Sequence, residues 1–569
     1  MDRQEIERKA REYLSQEEVP YFKEDLQKAL DQGDWGELED RFYRELDFGT
    51  GGLRGIIGGG INRLNPYTIR KATQGLADYI LAQGIKNPQA AIAYDSRRFS
   101  DLFAKTAALV LAARGIKARL FSTLHPTPLL SFAVRELGAA AGIVVTASHN
   151  PPEYNGYKVY WSDGAQLVPP HDRGVIDQVR RQEGLIPLPD EEEALNSGLL
   201  SYIGGEIDDR YAALVHSRLL RPGLIKEQAP RLKVVYTPLH GTGRALVERL
   251  LGELGIPCLT VPEQREPDGG FPTVAFPNPE EPAALKMALD LAVREGASLV
   301  IGTDPDADRI AIAAPDGGGN FRLFTGNQLG VLLGDYIFSS LGETGRLPDR
   351  PAFIKTIVTT ELQSLLAAKH GVKVYDVLTG FKYIGQKIRE LEAAGENYVF
   401  GGEESCGYLA LKEIRDKDAV STAVIVAEMA LYHLSRGQSL SGRLEEIYGE
   451  LGYFEEALIS RTIKGAAGVG EIQGIMARLR QNPPVELGGV KVREILDYRE
   501  KNRMNLPPSD VVQIRLEDET LITVRPSGTE PKIKFYASLR GRPGQPPAEA
   551  QRDCAGRLER IRAYLNALS

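Results

Sequence analysis

Ala90-Ala91-Ile92-Ala93-Tyr94 is an apolar run of strand length; an alanine-rich segment with helical spacing follows at 100–113, then Arg114-Gly115-Ile116, then Lys117-Ala118-Arg119-Leu120-Phe121. A glycine directly after a helix is the expected left-handed stop, and a strand, helix, strand unit of this length closes right-handed onto a parallel sheet. The pattern returns twice. Strand 232–236, helix 244–254, Gly255-Ile256 and strand 258–261 form a second copy; strand 352–357, helix 360–370, Gly371-Val372 and strand 373–377 form a third. Self-similarity outranks single motifs as a guide to architecture. It predicts an α/β protein built of three related α/β domains with mixed sheets around a central cleft. Past residue 450 the pattern changes to strands at 513–516 and 521–524 and a closing helix from Pro547, which predicts a C-terminal α+β domain. At the other end Ile6, Ala10, Tyr13, Leu14, Phe22, Leu26 and Leu30 recur at three- and four-residue steps, so 1–46 is expected to be helical and packed on the first domain. The expected division is 1–46, 47–205, 206–325, 326–450 and 451–569.

Length and composition agree with several cores. A chain of 569 residues exceeds the size at which one core stops growing. Hydrophobic residues at 42% and charged residues at 26% are ordinary for packed domains, and no apolar run reaches the length of a membrane span. The charged start Met1-Asp2-Arg3-Gln4-Glu5 lacks the apolar core of a secretion signal, and Cys258, Cys406 and Cys554 form no metal or redox spacing, so a reducing, cytoplasmic setting is expected. A formal charge of −8 argues against a nucleic-acid surface. Anionic small molecules would need focused positive groups.

In each repeat a further apolar strand empties into a polar loop, and ligand sites of open α/β sheets lie beyond the carboxyl ends of strands. The first loop is Thr146-Ala147-Ser148-His149-Asn150-Pro151-Pro152, leading to Glu153-Tyr154-Asn155-Gly156-Tyr157-Lys158. The two prolines forbid a helix there, which leaves Ser148 on an exposed strand end. In an extended loop His149 points away from Ser148, so it is not expected to be the serine's base although it stands in the catalytic set. Nor is there the Gly-x-Ser-x-Gly elbow of an α/β hydrolase. Lys158, across a hairpin, is the expected proton carrier, with neighbouring cations lowering its pKa toward neutrality. The second loop is Gly302-Thr303-Asp304-Pro305-Asp306-Ala307-Asp308-Arg309. Its three alternating carboxylates repel one another unless a hard cation such as Mg²⁺ neutralises them, and no bidentate glutamate stands where a calcium loop would need one. Arg309 adds a planar donor for phosphate. The third, Gly401-Gly402-Glu403-Glu404-Ser405-Cys406-Gly407-Tyr408, offers acceptors suited to sugar hydroxyls, with Thr379, Gly380 and Lys382 nearby as an anion contact. In the last domain Arg525-Pro526-Ser527-Gly528-Thr529 gathers a guanidinium, two hydroxyls and open amides, the donor density of a phosphate pocket, followed by Lys532 and Lys534. Near the start, the glycine-rich Asp47 to Gly55 reads as a turn bringing Arg54 toward a ligand. These parts together describe phosphoryl transfer on a sugar.

With these four loops in this order, the chain resembles the α-D-phosphohexomutase superfamily of phosphoglucomutases and phosphomannomutases from about Phe48 onward. The long amino-terminal segment and Asn278-Pro279-Glu280-Glu281-Pro282 look most like its phosphoglucomutase and phosphopentomutase branch. The resemblance implies an isomerase, an intramolecular phosphotransferase, in which Ser148 carries phosphate and completes a Mg²⁺ site with Asp304, Asp306 and Asp308. It further implies glucose 1,6-bisphosphate as activator and intermediate, with the two ends of the sugar exchanged by its turning in the cleft. Glu403 and Ser405 would hold sugar hydroxyls; Arg525, Ser527, Gly528 and Thr529 the phosphate that is not reacting; Arg54, Lys158 and Lys382 would supply charge and a proton. Tyr408 stands where many bifunctional mannose and glucose enzymes carry histidine, which favours interconversion of glucose 1-phosphate and glucose 6-phosphate. Phosphopentomutases and phosphomannomutases use the same loops and are the enzymatic alternatives. A noncatalytic sugar-phosphate binder is the alternative of another class, one with no need of Ser148, three aspartates and Lys158 together. The expected partners are sugar phosphates alone, with no nucleic acid or membrane, for a monomer or homodimer.

Overall fold

The computed structural model describes residues 1–49, 51–463, 466–500, 506–526, 532–542 and 544–568, without the side chains of 466, 467 and 469. Its first sheet comprises β1 (Gly52–Ile56), β2 (Gln89–Tyr94), β3 (Lys117–Phe121), β4 (Ala141–Val145), β5 (Tyr154–Trp161) and β6 (Leu200–Ile203) in the order β1-β5-β4-β2-β3-β6. The second comprises β7 (Val234–Thr237), β8 (Cys258–Thr260), β9 (Leu299–Thr303), β10 (Ile310–Pro315) and β11 (Phe321–Leu323) in the order β11-β10-β9-β7-β8. The third comprises β12 (Pro351–Thr356), β13 (Lys373–Val377), β14 (Asn397–Glu403) and β15 (Gly407–Leu409) in the order β13-β12-β14-β15.

All three repeat one plan. A parallel core (β4-β2-β3, β9-β7-β8, β14-β12-β13) ends in a strand that runs into a polar loop and returns antiparallel, as β4 to β5, β9 to β10 and β14 to β15. The mixed sheets expected from the sequence follow from that return strand, and it brings the three loops to equivalent sheet ends. The helices of the repeat form at Ser100–Ala113, Gly243–Glu253 and Glu361–Lys369. In the first, Phe103, Ala104, Ala107, Ala108 and Leu111 fall on one face and are buried, the small alanines letting the helix lie close on the sheet. Gly115, Gly255 and Gly371, with φ of 73°, 72° and 68°, stop the three helices as the sequence predicts.

The fourth domain is an antiparallel sheet of β16 (Phe454–Thr462), β17 (Glu486–Leu487), β18 (Val490–Asp497), β19 (Val512–Leu516), β20 (Leu521–Pro526) and β21 (Lys532–Arg540), with helices Ala466–Gln481 and Pro547–Asn566. It meets the third domain through a small apolar cluster of Ile357, Val358, Leu378, Tyr498, Val511 and Tyr536. Three helices, Arg3–Gln16, Pro20–Gln32 and Trp35–Phe42, cover the first domain, where Phe22 enters the core beside Phe99 and Phe103. The glycine-rich 47–55 departs from the expected turn. From Gly52 it is the edge strand β1, and Gly52 is required there, since a Cβ would lie 1.8 Å from the Tyr157 carbonyl oxygen. Thr50 lies outside the described residues. Among the described residues no helix is long and apolar enough to cross a membrane.

Candidate active site

Ser148 sits beyond β4, buried, in the left-handed region with φ of 52°. A tight turn produces this: the Ser148 amide donates to Thr146 Oγ1 at 2.8 Å and the Asn150 amide to the Ala147 carbonyl at 3.1 Å. The loop is therefore not extended, which overturns the basis for placing His149 on the opposite side. His149 Nδ1 lies 3.3 Å from Ser148 Oγ. Burial, then the charges of Arg309 and Arg54, hold that imidazole well below its ordinary pKa, so it is neutral.

Ser148 Oγ donates to Asp304 Oδ2 at 2.6 Å, joining the first loop to the second. Asp304, Asp306 and Asp308 are buried, and one oxygen from each lies within 4.8 Å of the others. Four segments clasp this loop by its backbone. The amides of Thr127, Thr242 and Ala419 donate to the carbonyls of Asp306, Pro305 and Ala307, and the Ile310 amide to the carbonyl of Cys406 on the third loop. Asp304 Oδ1 accepts from the amides of Asp308 and Arg309 at 3.1 and 3.0 Å. Asp306 Oδ2 accepts from Thr127 Oγ1 at 2.9 Å and from Lys158 Nζ at 2.8 Å. Asp308 Oδ2 faces Lys417 Nζ at 3.1 Å and Lys158 Nζ at 3.5 Å.

Asp306 Oδ1 and Asp308 Oδ1 are buried with no hydrogen-bond partner among the described residues. Buried carboxylate oxygens without a donor are costly, and these two, with one oxygen of Asp304 within 4.8 Å, fit a hard divalent cation held by oxygen. Burial and the charges of Asp306 and Asp308 push the Asp304 carboxyl well above its ordinary pKa. For Asp306 burial opposes ionisation, yet Lys158 and the hydrogen bonds around it hold the carboxyl below the ordinary range. Lys158 departs from expectation. Burial alone would lower it, but Asp306 and Asp308 raise it above its ordinary value, because their charges outweigh the opposing charge of Lys417. It is a charged donor here, not a poised neutral base.

Arg309 also finds a partner the sequence did not suggest: its Nη1 donates to Glu280 Oε1, within the Asn278 to Pro282 stretch, while its buried Nε has no hydrogen-bond partner among the described residues and lies 4.0 Å from Asp308 Oδ1. Arg54, exposed on β1, donates from Nη1 to Asn150 Oδ1 at 3.4 Å. On the third loop Glu403 ends β14, and its Oε1 accepts from the Gly380 amide at 2.9 Å, so Thr379 and Gly380 lie beside it. Thr379 Oγ1 is buried without a hydrogen-bond partner among the described residues, and Lys382 stands in the first turn of helix Phe381–Ala393, lowered by burial. Ser405 is half-buried between Glu404 and the left-handed Cys406. Tyr408 turns inward, its Oη donating to the Gly326 carbonyl at 2.6 Å. In the fourth domain Arg525 pairs in register with Lys534. Burial lowers Lys534, Glu404 opposes this and Arg525 and Arg309 reinforce it, so this strand shares a field with the second and third loops. Ser527, Gly528 and Thr529 lie outside the described residues.

Four residues of the site escaped sequence reasoning. Lys417 and Asp416 extend the charge chain into the third domain, with Lys417 Nζ 3.0 Å from Asp416 Oδ1, and Tyr160 Oη and Gln166 Nε2 donating to Asp416 Oδ2 at 2.6 and 2.8 Å. Thr127 and Arg97 are the others. None belongs to a glycine-rich or acidic cluster, and only the alternation in Arg415-Asp416-Lys417-Asp418 was a signal to be found.

A serine joined by a hydrogen bond to the acidic, metal-type loop of the next domain, with lysines facing that loop and a carboxylate loop in the third like domain, defines a phosphoryl-transfer enzyme of the phosphosugar mutase class. Residues 45–184, 209–318 and 325–451 match, in order, domains I, II and III (alpha/beta/alpha) of phosphoglucomutase/phosphomannomutase. A phosphoglucomutase of Staphylococcus aureus (strain bovine RF122 / ET3-1) is 40% identical over 515 residues, 89% of this chain and 91% of that one. The chain belongs to the phosphoglucomutase/phosphomannomutase family. Two solved structures share its fold: pp63/parafusin of Paramecium, a phosphoglucomutase in an open form (TM-score 0.68, 18% identity, 91% of this chain and 95% of that one), and a family protein from Burkholderia thailandensis (TM-score 0.66, 19% identity, 91% and 97%).

Proposed function

We propose that this chain is a cytoplasmic, Mg²⁺-dependent phosphoglucomutase that interconverts glucose 1-phosphate and glucose 6-phosphate through a phosphoserine at position 148 and glucose 1,6-bisphosphate. The observation that carries the reading is the 2.6 Å hydrogen bond from Ser148 Oγ to Asp304, inside a cluster of three buried carboxylates that Lys158 faces. In the forward half-reaction the bond from phosphorus to Ser148 Oγ breaks as one forms to the free sugar hydroxyl; the reverse transfer, from the other end of the bisphosphate, restores the phosphoserine. Asp304, Asp306 and Asp308 would hold Mg²⁺, which when bound neutralises charge on the transferring phosphoryl group. Lys158, kept charged by Asp306 and Asp308, supplies an N–H beside the same carboxylates; it gives a proton to the oxygen leaving phosphorus and is reprotonated by the proton that the attacking hydroxyl loses. Glu403 and Ser405 hold sugar hydroxyls, and Arg54, Arg309, Lys382 and Arg525, with Ser527, Gly528 and Thr529, hold phosphate oxygens. His149, neutral and within reach of Ser148 Oγ, orients the serine. Tyr408 supports glucose over mannose, because its phenol is committed to the Gly326 carbonyl and leaves no imidazole at that place for an axial hydroxyl.

Intact mass before and after incubation with glucose 1-phosphate and Mg²⁺, with the modified peptide mapped, tests this. Phosphate on Ser148 that exchanges with substrate is the expected result. An unmodified Ser148 that glucose 1,6-bisphosphate fails to phosphorylate sinks the reading, and higher turnover on mannose or ribose 1-phosphate overturns the choice of sugar.

A further inference from the structure

Arg97 directs all four of its terminal N–H groups at one loop. Nη1 donates to the carbonyls of Pro151 and Tyr154 at 2.8 and 2.9 Å, and Nη2 to the carbonyls of Ser148, at 2.5 Å, and Asn150. The guanidinium fork is rigid and planar, so four acceptors on it leave the loop little freedom. Arg97 is itself fixed. Asp95 Oδ1 accepts from the Arg97 amide at 2.9 Å and from Ser100 Oγ at 2.7 Å, and Asp95 Oδ2 lies 3.5 Å from Arg97 Nε. Both side chains are fully buried.

The outer face of the guanidinium is covered by another domain. Phe271, from the segment after β8, places its ring centroid 4.9 Å from Arg97 Cζ. Two residues earlier Gly269 comes so close to the 96–98 backbone that a Cβ would lie 2.6 Å from the Arg98 amide and from the Ser96 carbonyl. No side chain fits there, so the second domain's segment is seated on the Arg97 turn.

Backbone geometry makes this relevant to chemistry. A non-glycine residue in the left-handed region persists where its surroundings over-determine it. At Ser148 the carbonyl is taken by Arg97 on one side and Oγ reaches Asp304 on the other. We propose that Arg97, covered by Phe271, is a positioning residue for phosphoryl transfer: it sets the left-handed backbone at Ser148 and so the approach of Oγ to the three aspartates. The inference rests on the phosphoserine reading above.

Arg97→Lys keeps the charge and loses the fork. Steady-state kinetics on the full chain with Mg²⁺ should show kcat lowered about 100-fold, the scale of an ångström misplacement, with KM within about threefold. Millimolar guanidinium ion should restore part of the rate to Arg97→Ala and none to Arg97→Lys. Phe271→Leu, which keeps an apolar cover without an aromatic face, should lower kcat about tenfold, the rate equivalent of one guanidinium-ring contact. It carries the test should the Arg97 variants fail to fold. A folded Arg97→Lys with wild-type kcat overturns the proposal, as does loss of rate that only tracks loss of folded protein, or wild-type kcat in Phe271→Leu. Wild-type protein without turnover sinks the phosphoserine reading and this proposal together; an active wild type beside an unimpaired Arg97→Lys sinks this proposal alone.

Discussion

Lys158 Nζ lies 2.8 Å from Asp306 Oδ2 and 3.5 Å from Asp308 Oδ2, so one ammonium on the first domain's return strand holds two carboxylates of the second domain's loop. Lys417 of the third domain reaches the same Asp308 oxygen at 3.1 Å. Carboxylate and ammonium alternate across three domains, and a divalent ion would compete with both lysines for Asp306 and Asp308.

That competition gives the first prediction. Lys158→Met should lower kcat about 100- to 1,000-fold, in the range for loss of a proton-transferring group. Removing one partner of a buried pair also destabilises by about 3–5 kcal/mol. The drop in Tm should be large in chelator and smaller in saturating Mg²⁺, where the cation takes over neutralisation of Asp306. Equal drops in the two conditions would mean that lysine and metal do not share this carboxylate.

A second prediction concerns the unpartnered oxygens Asp306 Oδ1 and Asp308 Oδ1. Chelator should abolish turnover, and Mg²⁺ should raise the Tm of the resting protein with a concentration dependence set by linkage, about 2.7 kcal/mol at 100 times Kd. Asp308→Asn should remove most of that rise and should also lower the metal-free Tm, because Lys417 and Lys158 lose a buried carboxylate partner. Thermal scans across a Mg²⁺ titration decide it; an undiminished rise in Asp308→Asn would exclude this carboxylate as a ligand.

Elements with local periodicity were legible in the sequence, and so were the loops between them. The segment 100–113 shows its helix by alanine-rich spacing and its end by Gly115; Lys117–Phe121 follows as a strand because nothing else fits between two glycine-bounded runs. The plan of the site followed from three loops at equivalent strand ends. What was not legible came from residues distant in sequence. Arg97 acquires meaning only when residues 148–154 and Phe271 arrive beside it, and Lys158 acquires its raised pKa only from aspartates about 150 positions away. Arg309 could not be assigned to Glu280 from a pattern, since any surface glutamate would have served. The Ser148 loop was misread as extended because prolines exclude helix without excluding a tight left-handed turn.

The third prediction is a pH dependence. Burial, with the charge of Glu403 beside it, pushes the Glu404 carboxyl from 4.5 up to about 7. A carboxyl raised on folding binds its proton more tightly in the native state, so its contribution is complete below the unfolded value and is lost as pH rises through the folded one. Between pH 4.5 and 7 the Tm of the wild type should therefore fall relative to that of Glu404→Gln, in which nothing ionises at this position. Parallel curves for the two proteins across that window would rule out a raised Glu404.

A fourth prediction isolates the sugar loop. Gly326 opens helix Gly326–Glu343, whose start is held by reciprocal hydrogen bonds between Thr325 and Gln328. A Cβ at Gly326 would lie 2.0 Å from the Glu404 carbonyl oxygen and 2.8 Å from the Cys406 amide. The helix is capped and packed, so in Gly326→Ala the loop is what moves. Overpacking of this kind destabilises by about 1–3 kcal/mol. Its effect on turnover should fall on binding: in the proposed function Glu403 and Ser405 on this loop would hold hydroxyls that do not react, and contacts made equally in ground and transition states appear in KM when lost. Gly326→Ala should raise KM for glucose 1-phosphate about tenfold or more with kcat within threefold, the equivalent of one hydrogen bond of about 1.4 kcal/mol. A fall in kcat at unchanged KM would instead assign the loop to the chemical step.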